Sequence, residues 1–274
     1  MSPEATVVVP TRDRPRKLER CLRALERQRR DVPGLEVVVV DDGSRDEAAV
    51  AAAAERASAR LVRLDRRGPS AARNAGARAA RAPFVCFTDD DCEPAPGWVA
   101  RLVARLQAGA DAVGGPTVNG DPRSRLGAAS QLVANAPADE RFAPASNLAC
   151  RVETLRRHPF DESYGAGGED REWFARLLAA GCAVELEPGA VVLHFQELTP
   201  GEFWRKHVRY GRGAHRFRHA HRGGRLEPAA FYAGLLRDAF RRGPLVGGLV
   251  VLSQAATATG YAEAALRRRL SGAR

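Results

Sequence analysis

Val37-Val38-Val39-Val40-Asp41-Asp42-Gly43-Ser44 and Phe84-Val85-Cys86-Phe87-Thr88-Asp89-Asp90-Asp91 share one plan, an unbroken apolar run that ends abruptly in carboxylates. A strand that is apolar at every position has both faces covered, as in a parallel sheet between helical layers. Working outward, Ala5–Val9 is another such run, closed by Pro10, which has no N–H to give to a ladder. Leu18, Cys21, Leu22 and Leu25 then recur at the spacing of one helix face. The second run begins at Leu35, a helix is predicted near Glu47–Ala59, and a strand over Leu61–Leu64. A helix from about Ser70 to Arg81 leads to the Phe84–Phe87 strand, and Trp98, Leu102 and Leu106 mark one more helix face. Strands alternating with helices in this way describe an α/β sandwich built on a mostly parallel sheet.

From Asp111 the rhythm breaks. Ala112–Gly115 reads as a further strand, and Asn119–Pro144 as a polar connection without pattern, long enough for a flap over a site. Glu169–Ala180 is a predicted helix stopped by Gly181, and Val184–Leu186 and Val191–Leu193 are short strands. Beyond Thr199 the chain turns helical and basic, with Arg205, Lys206, Arg209, Arg212, Arg216, Arg218, Arg222 and Arg225 among four histidines. The expected division is a domain over 1–198, split into a donor-binding half (1–115) and an acceptor and catalytic half (116–198), followed by a helical basic appendage over 199–274.

The chain has 274 residues, of which 45% are hydrophobic, so it can bury a large core and wholesale disorder is excluded. The 43 Lys+Arg against 33 Asp+Glu leave a net charge of +10. Such a balance admits a nucleic-acid binder, but aromatic residues make up only 6% and no groove-reading motif is visible, so no nucleic-acid partner is expected. The five cysteines, Cys21, Cys86, Cys92, Cys150 and Cys182, form no CxxC pair, which argues against a disulfide framework or a structural zinc site. With an opening Met1-Ser2-Pro3-Glu4 that has no signal-like architecture, a cytoplasmic location is expected.

Three successive carboxylates at the end of a buried strand repel one another and lose hydration, so they call for compensation, and a divalent cation supplies it. Asp89 and Asp91 would point to one side of an extended segment. Hard oxygen ligands suit Mg2+ or Mn2+, which commonly join carboxylates to diphosphate. Gly68-Pro69-Ser70 opens a helix whose free N–H groups attract phosphate, with Arg73 expected in its first turn.

Taken together, Val7-Val8-Val9-Pro10-Thr11-Arg12-Asp13-Arg14, Val39-Val40-Asp41-Asp42-Gly43-Ser44-Arg45-Asp46, Ala72-Arg73-Asn74-Ala75-Gly76 and Phe87-Thr88-Asp89-Asp90-Asp91 resemble the family 2 glycosyltransferases of the GT-A fold, inverting type. The resemblance covers about the first 195 residues. It implies a nucleotide-diphosphate-sugar donor held by Pro10, Thr11, Arg12, Asp41, Asp42 and Arg73, and a DxD motif in which Asp89 and Asp91 hold ribose and metal. Asp90 stands between them as a further donor-binding candidate, and which two of the three act stays open. Ser146-Asn147-Leu148-Ala149 looks like the family's acceptor-side segment, and Gly167-Gly168-Glu169-Asp170 like its catalytic-base motif, with Asp170 as base and Glu169 beside it. A carboxylate in a first helical turn is favoured by the unsatisfied N–H groups there, so Asp170 is expected to stay ionised at neutral pH. His194 matches a position that serves related enzymes as a metal ligand, and Arg209 in Phe203–Gly211 is placed to reach the donor diphosphate.

The function implied is an inverting, metal-dependent sugar transfer to a hydroxyl of a glycan, lipid-linked or small-molecule acceptor. A non-catalytic sugar-binding relative is the alternative, against which the intact Asp89, Asp91 and Asp170 count. The uncharged stretch Gly243–Ala262, flanked by Arg241-Arg242 and Arg267-Arg268-Arg269, approaches the ~20 residues of a membrane span but is broken by polar residues and glycine. A packed or interfacial helix is expected there, with peripheral contact to anionic lipid at the inner face of a membrane.

Overall fold

The computed structural model of the protein describes residues 3–136, 142–164, 167–221 and 226–271. The first half alternates as the sequence predicts. Strands β1 (Ala5–Thr11), β2 (Leu35–Asp42), β3 (Arg60–Leu64) and β4 (Phe84–Phe87) are separated by helices α1 (Pro15–Gln28), α2 (Glu47–Arg56) and α3 (Pro69–Ala79). Leu18, Cys21, Leu22 and Leu25 form the buried face of α1, and the Asp46 carboxylate caps α2 by accepting from the Ala49 N–H. β1 pairs in parallel with β2 on one side and β4 on the other, and β3 extends the sheet beyond β2.

The second half reverses direction. After β5 (Cys92–Pro94) and α4 (Trp98–Gln107) come β6 (Ala112–Gly114), β7 (Thr117–Asn119), α5 (Arg125–Ala134) and β8 (Leu148–Arg151). Then follow α6 (Val152–Arg157), α7 (Glu169–Ala179), β9 (Val184–Leu186) and β10 (Val192–His194). β8 lies antiparallel between β4 and β6, giving a seven-stranded order β3-β2-β1-β4-β8-β6-β9. A second sheet of order β5-β10-β7 sits apart from it. Asn147, at the start of β8, joins the two sheets: it accepts from the Trp98 indole at 2.7 Å and donates to the carbonyls of Pro116 and Ala190.

Alternation along the strands builds two cores. Val7, Val9, Val37 and Val39 cluster with Leu18, Leu22, Trp98 and Leu102 on one face. Val8, Val38, Val40, Val85 and Phe87 cluster with Phe160, Trp173 and Leu177 on the other. On that second face α3 comes so close that a Cβ on Gly76 would lie 2.2 Å from Val8 Cγ1. Both layers of the sandwich are therefore filled, and its carboxyl edge is left for chemistry.

The Asn119–Pro144 stretch departs from expectation. It contains α5, capped by the Ser124 hydroxyl, which accepts from Gly127 N–H at 2.9 Å, while residues 137–141 lie outside the described set. The helix was hidden because its buried side is partly polar: Ser130 and Gln131 are buried next to Ala129. The C-terminal helices are α8 (Pro200–His221), α9 (Ala229–Arg241) and α10 (Pro244–Ser271). Arg222 and Arg225 of the basic run, and the last three residues, lie outside the described set. Ala129 of α5, Phe203 of α8, Leu235 and Ala239 of α9, and Val246 and Val250 of α10 form a third small core.

Helices α8 and α10 cross with their backbones in contact: a Cβ on Gly211 would lie 1.9 Å from the Thr257 carbonyl oxygen, and one on Gly260 1.9 Å from that of Val208. The stretch expected to be packed or interfacial thus lies against α8. Helix α10 is long and apolar enough to cross a membrane by length and composition, and 33% of its apolar window is buried within the protein.

Candidate active site

The order of the strands reverses between β1 and β4, since the chain leaves β1 for β2 and β3 on one side and returns with β4 on the other. Ligands of open α/β sheets bind in the crevice beyond the strand ends at such a point. Here a cleft of about 1540 Å³ opens there. Pro10, Thr11, Arg12, Asp42, Arg73, Asp89, Asp90, Asp91, Glu169, Asp170, His194 and Arg209 all line it, so of the predicted site residues Asp41 alone does not.

The three carboxylates after β4 have three different environments. Asp90 turns back toward β1, where its Oδ2 accepts from the Thr11 hydroxyl at 2.8 Å and its Oδ1 meets the Arg14 guanidinium at 3.3 Å. Burial and the neighbouring Asp91 charge push the Asp90 carboxyl up to about 7, against the pull of Arg14 and Thr11. Asp91 points the other way: Oδ2 meets Arg14 at 3.3 Å and Oδ1 lies 3.2 Å from His194 Nε2. Burial raises this carboxyl, but His194, Arg14 and Lys206 outweigh it and hold Asp91 below the ordinary carboxylate range. Asp89 pairs with Arg73 at 3.1 Å.

Arg73 connects the two halves of the site. Its other terminal nitrogen reaches Glu169 Oε1 at 3.0 Å, so one buried guanidinium spans from the β4 carboxylates to the start of α7. With Pro69 as the first residue of α3, Arg73 opens the second turn rather than sitting in the first as the sequence suggested. The turn before α7 needs its glycines, for Gly167 and Gly168 both have positive φ, at 115° and 91°. Asp170 then enters the cleft, accepting from Arg171 N–H at 2.8 Å and Ala145 N–H at 3.4 Å. Burial and the adjacent Glu169 raise its carboxyl to about 6, with Arg73 and those two N–H groups pulling it back. Burial thus outweighs the pull of the helix start on this carboxyl. Even so, an acid of pKa about 6 is ionised roughly ten to one at pH 7.

The remaining predicted residues are placed as follows. Asp41 holds its own turn together by accepting from the Ser44 N–H and hydroxyl, and Asp42 accepts from Arg67 N–H (2.6 Å) and Gly68 N–H (2.9 Å), which fixes the entry to α3. Arg12 pairs with Asp13 at 3.8 Å and is half-exposed, while Arg14, two residues on, reaches the carboxylates. Arg209 stands on α8 beside Lys206, whose ammonium is pushed down to about 8, chiefly by burial. In the Ser146–Ala149 segment, Ser146 lines the cleft, whereas Leu148 and Ala149 are core. Arg14, Lys206, Gln131 and Gln196 are lining residues that the sequence reading did not single out for the site. For Arg14 the signal was present, within the quoted Thr11–Arg14 segment.

A divalent cation fits this chemistry at one place. Asp91 Oδ1 and His194 Nε2 are adjacent, and the Cys92 thiol falls within the same 4.8 Å group, but burial drives that thiol's pKa well up and keeps it protonated. One carboxylate and one imidazole leave the other positions of an octahedral ion for water and substrate phosphate, the usual arrangement for Mg2+. Asp89, the second expected ligand, is engaged with Arg73 instead.

The family model described as Glycosyl transferase family 2 matches residues 6–161, more than half of the chain. The chain belongs to glycosyl transferase family 2. Among similar proteins of this family's kind, the "Pre-mycofactocin glycosyltransferase" of Mycobacterium tuberculosis is 30% identical over 207 residues, which cover 70% of this chain and 42% of that protein. "Glycosyltransferase AglE" of Haloferax volcanii is 27% identical over 224 residues, 77% of this chain and 73% of that one. The chain therefore spans less than half the length of the mycobacterial relative. Among solved structures, the mannosyltransferase PcManGT from Pyrobaculum calidifontis, in complex with GDP-Man and Mn2+, superposes with a TM-score of 0.62 at 22% identity, covering 100% of this chain and 80% of that one. S. aureus TarS 1-349 in complex with UDP-GlcNAc gives 0.55 at 18% identity, over 98% and 92%. The architecture of this family 2 chain is thus the GT-A fold.

Proposed function

We propose that the protein is an inverting glycosyltransferase that moves a sugar from a nucleotide-diphosphate donor to an acceptor hydroxyl. The observation that carries this reading is the shared cleft: the carboxylates after β4 and the half-buried Asp170 line one cavity, and Arg73 ties Asp89 to Glu169 beside it. Thr11 and Asp42 form the wall at the ends of β1 and β2, the position for the nucleoside, and Asp41 holds the turn behind it. Arg14, Lys206 and Arg209 surround the carboxylate end with positive charge suited to a diphosphate. Mg2+ or Mn2+ held by Asp91 and His194, when bound, neutralises charge on the leaving diphosphate. Asp170 takes the proton from the acceptor oxygen as that oxygen attacks from the face opposite the leaving group, and burial has raised its basicity to suit the task.

Phe142, Leu226, Phe231 and Leu235 line the same cleft. Among glycan, lipid-linked and small-molecule acceptors, this wall favours one with an apolar portion. Leu245, Val251, Leu252, Leu266 and Leu270 on α10 are exposed, as is Phe240 on α9, and arginines flank both ends of α10. Peripheral contact with anionic lipid follows from that pattern. Cosedimentation with vesicles containing anionic lipid, and absence from the pellet with neutral vesicles, is the expected result; equal behaviour with both removes the contact.

A screen of nucleotide sugars by thermal melting tests the donor reading. One donor class is expected to raise Tm in Mn2+ and lose that effect in EDTA, since a ligand at 100 times its Kd stabilises by about 2.7 kcal/mol. A flat response across uridine, guanosine and other nucleotide sugars with either ion counts against the reading.

A further inference from the structure

His194 is held by a chain of side-chain amides whose polarity can be worked out from its ends. The Thr117 carbonyl oxygen can only accept, so the Asn135 atom 2.7 Å from it is the amide nitrogen. Asn135 Oδ1 therefore faces Gln131, whose Nε2 donates to it at 2.8 Å. That leaves Gln131 Oε1 at the other end of the amide, 2.9 Å from His194 Nδ1. The opposite anchor agrees. The Lys206 ammonium donates to Gln196 Oε1, so Gln196 presents its Nε2 to Gln131 Oε1, at 2.9 Å. Gln131 Oε1 has no hydrogen, so His194 Nδ1 must carry one.

From this geometry we infer that Gln131 is a positioning residue that anchors the Nδ1–H of His194, so that Nε2, which bonds Asp91 Oδ1 at 3.2 Å, can release its proton to solvent and ligate a divalent cation beside that carboxylate. Gln131 is buried and α5 brings it to the cleft from outside the acidic motifs of the first half, while β10 supplies His194. A metal-bound imidazole needs its second nitrogen engaged as a donor so that the ring neither rotates nor changes tautomer, and Gln131 supplies that acceptor. The inference rests on the cation reading given above for Asp91 and His194, and concerns what aims the imidazole.

The test uses the full chain and Mn2+ alone, read by loss of the free-ion electron paramagnetic resonance signal and by nitrogen-14 modulation from a bound imidazole. Gln131→Leu is expected to weaken Mn2+ about 10- to 100-fold and to erase the nitrogen modulation, as His194→Ala does. Gln131→Glu, which retains an acceptor at the same reach, is expected to hold affinity within about threefold of wild type, while thermal melts show each variant folded. If Asp91→Ala and His194→Ala weaken Mn2+ but Gln131→Leu binds it with wild-type affinity and modulation, the positioning role is overturned and the cation site stands. If Asp91→Ala leaves Mn2+ binding untouched, the cation site itself falls, and the role of Gln131 with it.

Discussion

Asp170→Asn is expected to lower kcat by about 10²- to 10⁴-fold while donor affinity stays within about twofold, the loss associated with removing a general base. The amide is nearly isosteric, and its oxygen keeps the 2.8 Å bond from Arg171 N–H, so the first turn of α7 should retain its geometry. The basic electron pair is lost, together with the longer 3.4 Å contact of the other oxygen with Ala145 N–H. In the wild type the same carboxylate should give kcat/KM a limb that falls below about pH 6, because burial has raised Asp170 to that value and protonation removes the base. The limb should vanish in the variant. Stability moves the opposite way. Between its unfolded value near 3.8 and about 6, the native Asp170 binds a proton that the unfolded chain has released, so folding stability declines as pH rises through that window. At pH 7.5 the variant, with no charge to bury, should melt no lower than wild type. Equal loss of donor affinity and kcat, or a fall in Tm, points to a structural role and removes Asp170 as the base.

Asp91→Ala carries the second large effect: donor binding in Mn2+ should drop to the level measured in EDTA. Asp91 sits between His194, Arg14 and Lys206, which together hold its charge in place despite burial. Its removal leaves the imidazole without a carboxylate partner for the ion. It also removes the like charge that, after burial, does most to raise Asp90, so Asp90 should ionise at lower pH and keep its contacts to Thr11 and Arg14. The variant thus loses the cation while the crevice keeps the neighbouring Asp89 and Asp90 carboxylates, which separates metal binding from general electrostatics. Isothermal titration with the donor identified by thermal melting reads the outcome. Unchanged affinity in Mn2+, still sensitive to EDTA, would place the ion elsewhere.

The first half was legible in the chain because its information is local. Val37–Val40 and Phe84–Phe87 are apolar at every position, and each ends in acids, so both the buried sheet and its chemical edge could be read directly. That Arg14 and not Arg12 reaches Asp90 and Asp91 was not, since only the path of the backbone beyond β1 decides which guanidinium meets them. Strands of three residues, such as β5 and β7, are too short to have a period; β10 answers to the strand expected over Val191–Leu193, but the sheet it forms with them exists through partners distant in sequence. Helix α5 escaped notice for another reason. Its inward side includes Ser130 and Gln131, polar where a core helix is normally apolar, and Gln131 faces a site rather than a core. The direction of the Asp170 shift needed burial, which no neighbour in the sequence reports.

The contact of α10 with α8 through Gly211 and Gly260 has a consequence for how this protein can be divided. Helix α8 brings Lys206 and Arg209 to the cleft, and α10 is the buttress behind it. Removing the tail to obtain a smaller catalytic fragment would preserve every acidic motif and still undo the cationic wall. The last quarter of the chain is thus masonry of the site itself, since Lys206 and Arg209 of α8 and Thr257 and Tyr261 of α10 all face the cleft.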